Sequence, residues 1–146
     1  MNNATIAETL DKIAFFLEMK AENPFKIRAY RSAARCVRDY EHQLEELLAS
    51  GGDLTQVCGI GPVIARKVED LIILGRITTL DRLVGEFPES LYDLNRIRGI
   101  GPKTILQLYQ RHGISSLAQL RQAVQSDQKL DLPPAICGKI QAHFRS

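Results

Sequence analysis

Apolar residues recur at helical spacing along most of the chain. In residues 5–20 they return every three or four positions, as on one face of a helix, at Ile6, Leu10, Ile13 and Leu17. A second such stretch follows Asn23 and Pro24, which suit a cap and a first helical turn. Its apolar face comprises Ile27, Tyr30, Ala34 and Val37. Because no segment alternates apolar and polar residues as a strand would, we predict an all-α protein.

The second half of the sequence repeats itself. A short third helix over residues 44–48 is expected to end at SGGD, residues 50–53. Residues 54–62 then match residues 94–102, and ITTLDRL at 77–83 matches ISSLAQL at 114–120. Each repeat is predicted as a short helix, a Gly-x-Gly hairpin, a longer helix, and a further helix opened by Thr79 or Ser116. A last helix is expected over residues 134–144, where LDLPPAICGKI is a degenerate third copy at most.

The sequence Gly-Ile-Gly-Pro stands at the same place in both copies. Its glycines allow a tight reversal, its isoleucine is expected to pack inward, and its proline suits the first helical position. Backbone N–H groups then face outward at a helix N-terminus, where they bind a phosphate oxygen without reading a base. We therefore predict phosphate contacts at Gly59, Gly61 and Val63, and at Gly99, Gly101, Lys103 and Thr104. A tight turn with no ligand is the alternative interpretation.

Charge distinguishes the two copies. The chain of 146 residues carries a formal charge of +2, but residues 91–146 hold eight basic and three acidic side chains. An acidic partner would experience this last third most strongly. Val63 stands where the second copy has Lys103, so the first hairpin is expected to bind phosphate more weakly.

Composition excludes several classes of protein. The three cysteines show no Cys-x-x-Cys spacing, which argues against a disulfide framework or a zinc site. No apolar run approaches the roughly 18 residues of a membrane span, and the N-terminus lacks the pattern of a signal peptide. We expect a cytoplasmic protein, associated with the nucleoid if the source is bacterial.

Three segments resemble the helix-hairpin-helix family, and more closely the N-terminal region of X-family DNA polymerases of the beta type and their bacterial relatives. They are NPFKIRAYRSAARCV, VCGIGPVIARKVEDLIILGRI and LNRIRGIGPKTILQLYQRHGISSLAQL. The resemblance implies tandem helix-hairpin-helix units in a small multi-helix bundle. Residues 1–80 would form a polymerase beta-like N-terminal domain. Residues 81–146 would form a second DNA-binding domain that ends in the C-terminal helix.

The resemblance also implies roles for individual residues. Lys67 falls at the place of a lysine that forms a Schiff base in the family's 5′-deoxyribose-phosphate lyases. Lys26 falls where a lysine binds a 5′ phosphate, and Tyr30 where a tyrosine shapes that pocket. No cofactor is expected to be required, although hairpin carbonyls in the family hold K⁺ or Na⁺. The matching residues here are Thr55, Val57 and Ile60, and Asn95, Ile97 and Ile100.

Two departures from the family limit these expectations. The paired aspartates that hold two magnesium ions in a polymerase are missing, so this chain alone is not expected to transfer nucleotides. Thr55, Val63 and Thr79 stand where the family's phosphate pocket has lysines, which leaves that pocket incomplete. Arg66, beside Lys67, stands where the lyases have an acid; with Lys26 it is expected to supply positive field to Lys67.

Three functions remain open from the sequence. The first is binding of gapped, nicked or 5′-phosphorylated DNA in repair, without base specificity. The second is a lyase that uses Lys67, and the third is a protein-interaction scaffold. The expected partners are DNA and a larger repair polymerase or other repair proteins. The sequence does not say whether the chain is a fragment of a polymerase or a free-standing relative.

Overall fold

The computed structural model describes residues 1–145, which form helices and turns with no strand among them, so the all-α prediction is confirmed. In chain order the helices are α1 (Asn3–Met19), α2 (Pro24–Asp39), α3 (Leu44–Ala49), a 3-10 helix (Leu54–Gln56), α4 (Pro62–Leu74), α5 (Thr78–Glu86), a second 3-10 helix (Glu89–Arg96), α6 (Pro102–His112), α7 (Leu117–Gln125) and α8 (Pro134–Arg145).

The described chain divides into two compact units. The first runs from Met1 to Gly85, and the second begins at Glu86. Each unit contains one Gly-Ile-Gly-Pro hairpin between a 3-10 helix and an α-helix. The division predicted after residue 80 lies within α5.

Packing of α1 against α2 forms most of the core of the first unit. The apolar faces predicted from the periodicity are the buried ones: Ile6, Leu10, Ile13 and Leu17 on α1, and Ile27, Tyr30, Ala34 and Val37 on α2. Burial of one such large side chain contributes about 1.5–3 kcal/mol. The start of α2 also follows the prediction, since the Asn23 side chain accepts from the Phe25 N–H at 2.9 Å and Pro24 is the first helical residue.

A buried asparagine joins α1 to α3. The Asn3 side chain accepts from the Leu44 N–H at 2.9 Å and donates to the His42 carbonyl at 2.7 Å. It thereby satisfies backbone groups at the N-terminus of α3, a helix of six residues whose own Gln43 makes no capping bond. This contact crosses about 40 residues of sequence, and the periodicity gave no sign of it.

The two glycines of each hairpin differ in their backbone conformation. Gly59 and Gly99 have φ of +87° and +96°, which disfavour any side chain. Gly61 and Gly101 are extended, with φ of −84° and −123°, and each is the N-cap of the following helix. The tight reversal therefore depends on the positive φ of the first glycine of each pair, whereas the second, as a helix cap, takes an ordinary extended conformation.

The helices that follow the hairpin helices begin differently in the two units. In the second unit Ser116 caps α7 as predicted, and its side chain accepts from the Gln119 N–H at 3.2 Å. In the first unit α5 already begins at Thr78, so Thr79 does not open it. Instead the Thr79 hydroxyl accepts a hydrogen bond from Lys67.

The segment before α8 retains part of the hairpin geometry. When Pro134 at the start of α8 is aligned with Pro62, Asp131 takes the place of Gly59 and also has a positive φ, +57°. Pro133 then takes the place of Gly61. Neither proline has an N–H, and Asp131 adds a carboxylate, so this third copy lacks the donors of the other two.

Candidate functional site

The first hairpin exposes backbone donors. Gly59, Gly61 and Val63 are exposed, and within residues 1–145 no group accepts a hydrogen bond from their N–H groups. No side chain caps α4 either, so the start of this helix leaves its donors open to solvent. The helix dipole adds partial positive charge at the same place.

The second hairpin repeats this arrangement with more charge. The N–H groups of Gly99, Gly101, Lys103 and Thr104 find no acceptor in the described chain, and α6 has no side-chain cap. The Lys103 side chain is exposed, and Thr104 is half-buried. The predicted difference in charge is therefore present, because exposed Val63 occupies the corresponding position of the first hairpin.

The residues that lock each turn point inward, as predicted. Ile60 and Ile100 are 4% and 7% exposed, and Val57 and Ile97 are also buried. Each turn is closed by a backbone hydrogen bond, from Ile60 to Val57 at 3.1 Å and from Ile100 to Ile97 at 3.4 Å. The apolar side chains anchor the turn inside the unit, and the donors are left on its outer surface.

A cavity of about 530 Å³ opens beside the first hairpin. Gly59 and Gly61 line it, and α2 and α4 contribute the three side chains that the resemblance had singled out, Lys26, Tyr30 and Lys67. The structure thus brings Lys26 and Tyr30 together with Lys67, which lies about 40 positions later in the sequence. Thr79 and Arg82 of α5 complete the polar lining.

Lys67 lies in this cavity under the influence of two other cations. Its Nζ donates to Thr79 Oγ1 at 2.6 Å. Partial burial, and then the charges of Lys26 and Arg82, lower the pKa of Lys67, while Asp70 opposes them. A lowered pKa increases the fraction of neutral, nucleophilic amine.

Arg66 is not among the charges that lower the pKa of Lys67, contrary to expectation. Its side chain is 79% exposed and lies 3.9 Å from the Asp70 carboxylate, one turn along α4. Consecutive residues of a helix point about 100° apart, so Arg66 and Lys67 face different surroundings. The second cation beside Lys26 is Arg82, which sequence reasoning missed. The sequence feature that could have indicated Arg82 is its three-residue spacing from Thr79, which places both residues on one face of α5.

Tyr30 presents an unsatisfied hydroxyl at the cavity. The residue is 2% exposed, and its Oη is buried without a hydrogen-bond partner in the described structure. Burial raises the pKa of the phenol, with the charge of Arg82 acting in the opposite direction. A neutral phenol can donate a hydrogen bond to an anion bound in the cavity.

The six candidate cation-binding carbonyls lie on the two turns and the 3-10 helices before them. The Val57 and Ile97 carbonyls each accept one turn-closing bond. Within residues 1–145 the remaining four, of Thr55, Ile60, Asn95 and Ile100, accept none from the backbone. Carbonyl oxygens are suitable donors for a hard cation, so this donor set fits K⁺ or Na⁺.

Other classes of site find no support in the part of the chain that is described. Residues 1–145 contain no group of three or more His, Cys, Asp or Glu side chains that could hold a metal ion. Over the same residues no helix is both long enough and apolar enough to cross a membrane.

Comparison with known proteins identifies the family. A family model described as a helix-hairpin-helix domain matches residues 1–77, more than half of the chain, and a SAM-like helix-hairpin-helix tandem matches residues 91–132. The chain belongs to the helix-hairpin-helix family.

One relative places it more narrowly. The chain is 32% identical over 123 residues to the DNA polymerase/3′-5′ exonuclease PolX of Bacillus subtilis (strain 168). The match covers 84% of this chain and 21% of the relative, so the chain spans about a fifth of that protein's length. The resemblance to the helix-hairpin-helix region of X-family DNA polymerases is confirmed.

Proposed function

We propose that this chain binds the sugar-phosphate backbone of DNA through both hairpins, without sequence preference. The observation that carries the proposal is the repeated set of backbone N–H groups with no acceptor in the described chain, at Gly59, Gly61 and Val63 and at Gly99, Gly101, Lys103 and Thr104. All of these residues are exposed except Gly101 and Thr104, which are half-buried. Such groups at the start of a helix bind phosphate oxygens, and phosphate contacts carry no base information.

We further propose that gapped, nicked or 5′-phosphorylated DNA is the preferred ligand. The cavity beside the first hairpin brings together the cations Lys26, Lys67 and Arg82 and the unpaired Tyr30 hydroxyl. A terminal phosphate carries more negative charge than an internal phosphodiester and has a free end that can enter a cavity. Together these features favour a strand end with a 5′ phosphate, as occurs in DNA repair.

A monovalent cation at each hairpin is consistent with this mode of binding. The Thr55, Val57 and Ile60 carbonyls of the first hairpin would hold K⁺ or Na⁺, and the Asn95, Ile97 and Ile100 carbonyls would do the same in the second. Such an ion would add positive charge beside the backbone donors.

A binding comparison tests the proposal. Fluorescence anisotropy with gapped, nicked and intact duplex, each with a 5′ phosphate or a 5′ hydroxyl, should give the tightest binding to 5′-phosphorylated gaps or nicks. Affinity should fall steeply as salt rises, because phosphate contacts release counterions. Equal binding to all substrates would remove the preference for strand ends. Absence of salt-dependent binding would favour the protein-interaction scaffold instead.

The environment of Lys67 supports a second candidate function, 5′-deoxyribose-phosphate lyase. The neutral amine would attack C1′ of the opened abasic sugar and, with loss of water, form an iminium. Removal of a C2′ proton would then break the C3′–O bond and expel the 3′ phosphate as leaving group. Hydrolysis of the iminium would release the unsaturated sugar 5′-phosphate and restore Lys67. Partial burial, and then the charges of Lys26 and Arg82, lower the pKa of Lys67, as this chemistry requires.

Borohydride trapping tests the lyase directly. Reduction with a 5′-deoxyribose-phosphate substrate should link DNA covalently to the wild-type chain and to Lys129→Ala, which removes an exposed lysine of the second unit. Lys67→Ala should give no adduct. An adduct of undiminished yield with Lys67→Ala would exclude Lys67 as the nucleophile.

A further inference from the structure

We infer that Lys139 of α8 belongs to the DNA-binding surface and supplies an ammonium group to the phosphate site of the second hairpin. This inference rests on the proposed backbone-binding function, which it extends to a helix outside the repeat. The ligand it implies is an internal phosphodiester of a DNA strand, bound by backbone N–H groups and a lysine together.

The geometry of Gly99 carries the inference. A Cβ placed on Gly99 would lie 3.0 Å from Lys139 Cε and 3.1 Å from Lys139 Nζ, and closer still to Cδ. The lysine side chain therefore lies across the hairpin in the space that the glycine leaves open. Because Gly99 also has a φ of +96°, its lack of a side chain serves both the turn and the approach of Lys139.

The charge of Lys139 is not neutralised by a neighbour. The residue is exposed, and none of its contacts in residues 1–145 is an ion pair or hydrogen bond with a carboxylate. It lies at a hairpin whose backbone N–H groups have no acceptor and which Lys103 follows directly. An unpaired ammonium beside unpaired N–H donors is the arrangement that a phosphate completes.

The first hairpin provides an internal comparison. There the corresponding space, next to Gly59, is occupied by Cys36 of α2, whose Sγ lies 2.6 Å from the place of a Cβ. A helix outside the hairpin thus covers the first glycine in both units, with a neutral thiol in one and a cation in the other. The second hairpin should therefore bind an internal phosphate more tightly and with a stronger dependence on salt.

Charge-removal variants test the inference on the 146-residue chain. Lys139→Gln and Lys139→Met should both weaken binding to duplex DNA about tenfold, and should lower the slope of log K against log salt by about one. Lys139→Met retains an unbranched apolar side chain against Gly99, so an equal loss in both variants assigns the effect to charge. Lys129→Gln, which removes the same charge from an exposed position of the same unit, is the matched control and should leave the slope unchanged.

The outcomes separate this inference from the proposed function. If the wild type binds with a steep salt dependence and Lys139→Gln behaves like Lys129→Gln, the role of Lys139 is wrong and backbone binding stands. If the wild type shows no salt-dependent binding, both are wrong. Each variant should unfold at the same temperature as the wild type. Lys139→Arg, which keeps the positive charge, should retain most of the wild-type affinity.

Discussion

At the scale of single residues, removal of the buried Tyr30 hydroxyl should affect ligand binding without lowering stability. An unpaired buried hydroxyl stabilises nothing, so Tyr30→Phe should leave the free energy of unfolding unchanged or raise it by up to about 1 kcal/mol. If the cavity binds a 5′ phosphate, the same variant should lose part of the preference for 5′-phosphorylated over 5′-hydroxyl DNA. Denaturant titration and paired binding curves measure the two effects. A variant that is less stable but keeps the full preference would contradict this role.

The pH dependence of Lys67 reactivity tests the cations around it. Arg82 lowers the pKa of Lys67, so Arg82→Gln should raise that pKa. Less neutral amine is then present at pH 7, and the pH profile of borohydride trapping should move to higher pH with a lower rate at pH 7.

Arg76 provides the control for that measurement. Its side chain is 74% exposed and lies 3.9 Å from the Asp81 carboxylate, next to Arg82 in sequence. Arg76→Gln removes an identical charge near α5 without altering the cavity, so its pH profile should coincide with that of the wild type. Equal shifts in the two variants would show that overall charge, rather than the position of Arg82, sets the reactivity of Lys67.

Site residues could be predicted where this chain has the same residue type as the family at the matching position. Lys26, Tyr30 and Lys67 were found in this way and share one cavity. Arg82 was not, because its role depends on how α5 packs. Its three-residue spacing from Thr79 indicates a shared helix face but does not show what that face contacts. Lys139 and Cys36 were missed for the same reason, since each reaches its glycine from a helix outside the hairpin.

At the scale of elements, the two glycines of a hairpin should respond differently to substitution. Gly59→Ala requires a positive φ and crowds Cys36, so it should cost about 1–3 kcal/mol of unfolding free energy. Gly61→Ala meets nothing within 4 Å at an extended position and should cost less than about 1 kcal/mol. Chemical denaturation of the two variants compares them, and similar losses would contradict the different roles of the glycines.

The joint between α1 and α3 depends on Asn3. Asn3→Ala leaves the buried Leu44 N–H without its acceptor and should lower the free energy of unfolding by about 1–3 kcal/mol. Asn3→Asp keeps an acceptor for Leu44 but places a buried carboxylate against the His42 carbonyl oxygen, so its loss should be at least as large. If the alanine variant proved as stable as the wild type in urea unfolding, this joint would not stabilise the unit.

Helix positions followed from sequence because periodicity, caps and prolines are local signals. Asn23, Ser116, Pro62 and Pro102 act where they were predicted to act. The prediction that Thr79 opens α5 was wrong because a threonine near a helix start can either cap the helix or form a hydrogen bond elsewhere. Here its hydroxyl accepts a hydrogen bond from Lys67. The Asn3 contact could not be predicted, since the sequence does not show which helix lies beside which.

At the scale of the whole molecule, two compact units each present one hairpin with backbone donors that have no acceptor in residues 1–145, and the two hairpins differ in charge. The net charge of +2 gives a weak overall field, so affinity should come from local contacts at the hairpins. Two modest phosphate sites on one chain reinforce each other when both can engage one DNA.

The central claim is that the open N–H groups at the starts of α4 and α6 bind DNA phosphates. An Asp side chain at Gly61 and Gly101 would occupy those donors itself and repel phosphate, yet aspartate is a favoured helix cap. Gly61→Ser with Gly101→Ser is the neutral control, which competes for the same donors without adding charge.

The most direct measurement is the affinity of the double variant Gly61→Asp/Gly101→Asp for gapped DNA, with thermal unfolding as the check on its fold. The variant should unfold at the wild-type temperature or above and bind at least about 100-fold more weakly, with a shallower salt dependence, while the double serine variant falls between it and the wild type. A folded aspartate variant that binds gapped DNA as tightly as the wild type would contradict the claim.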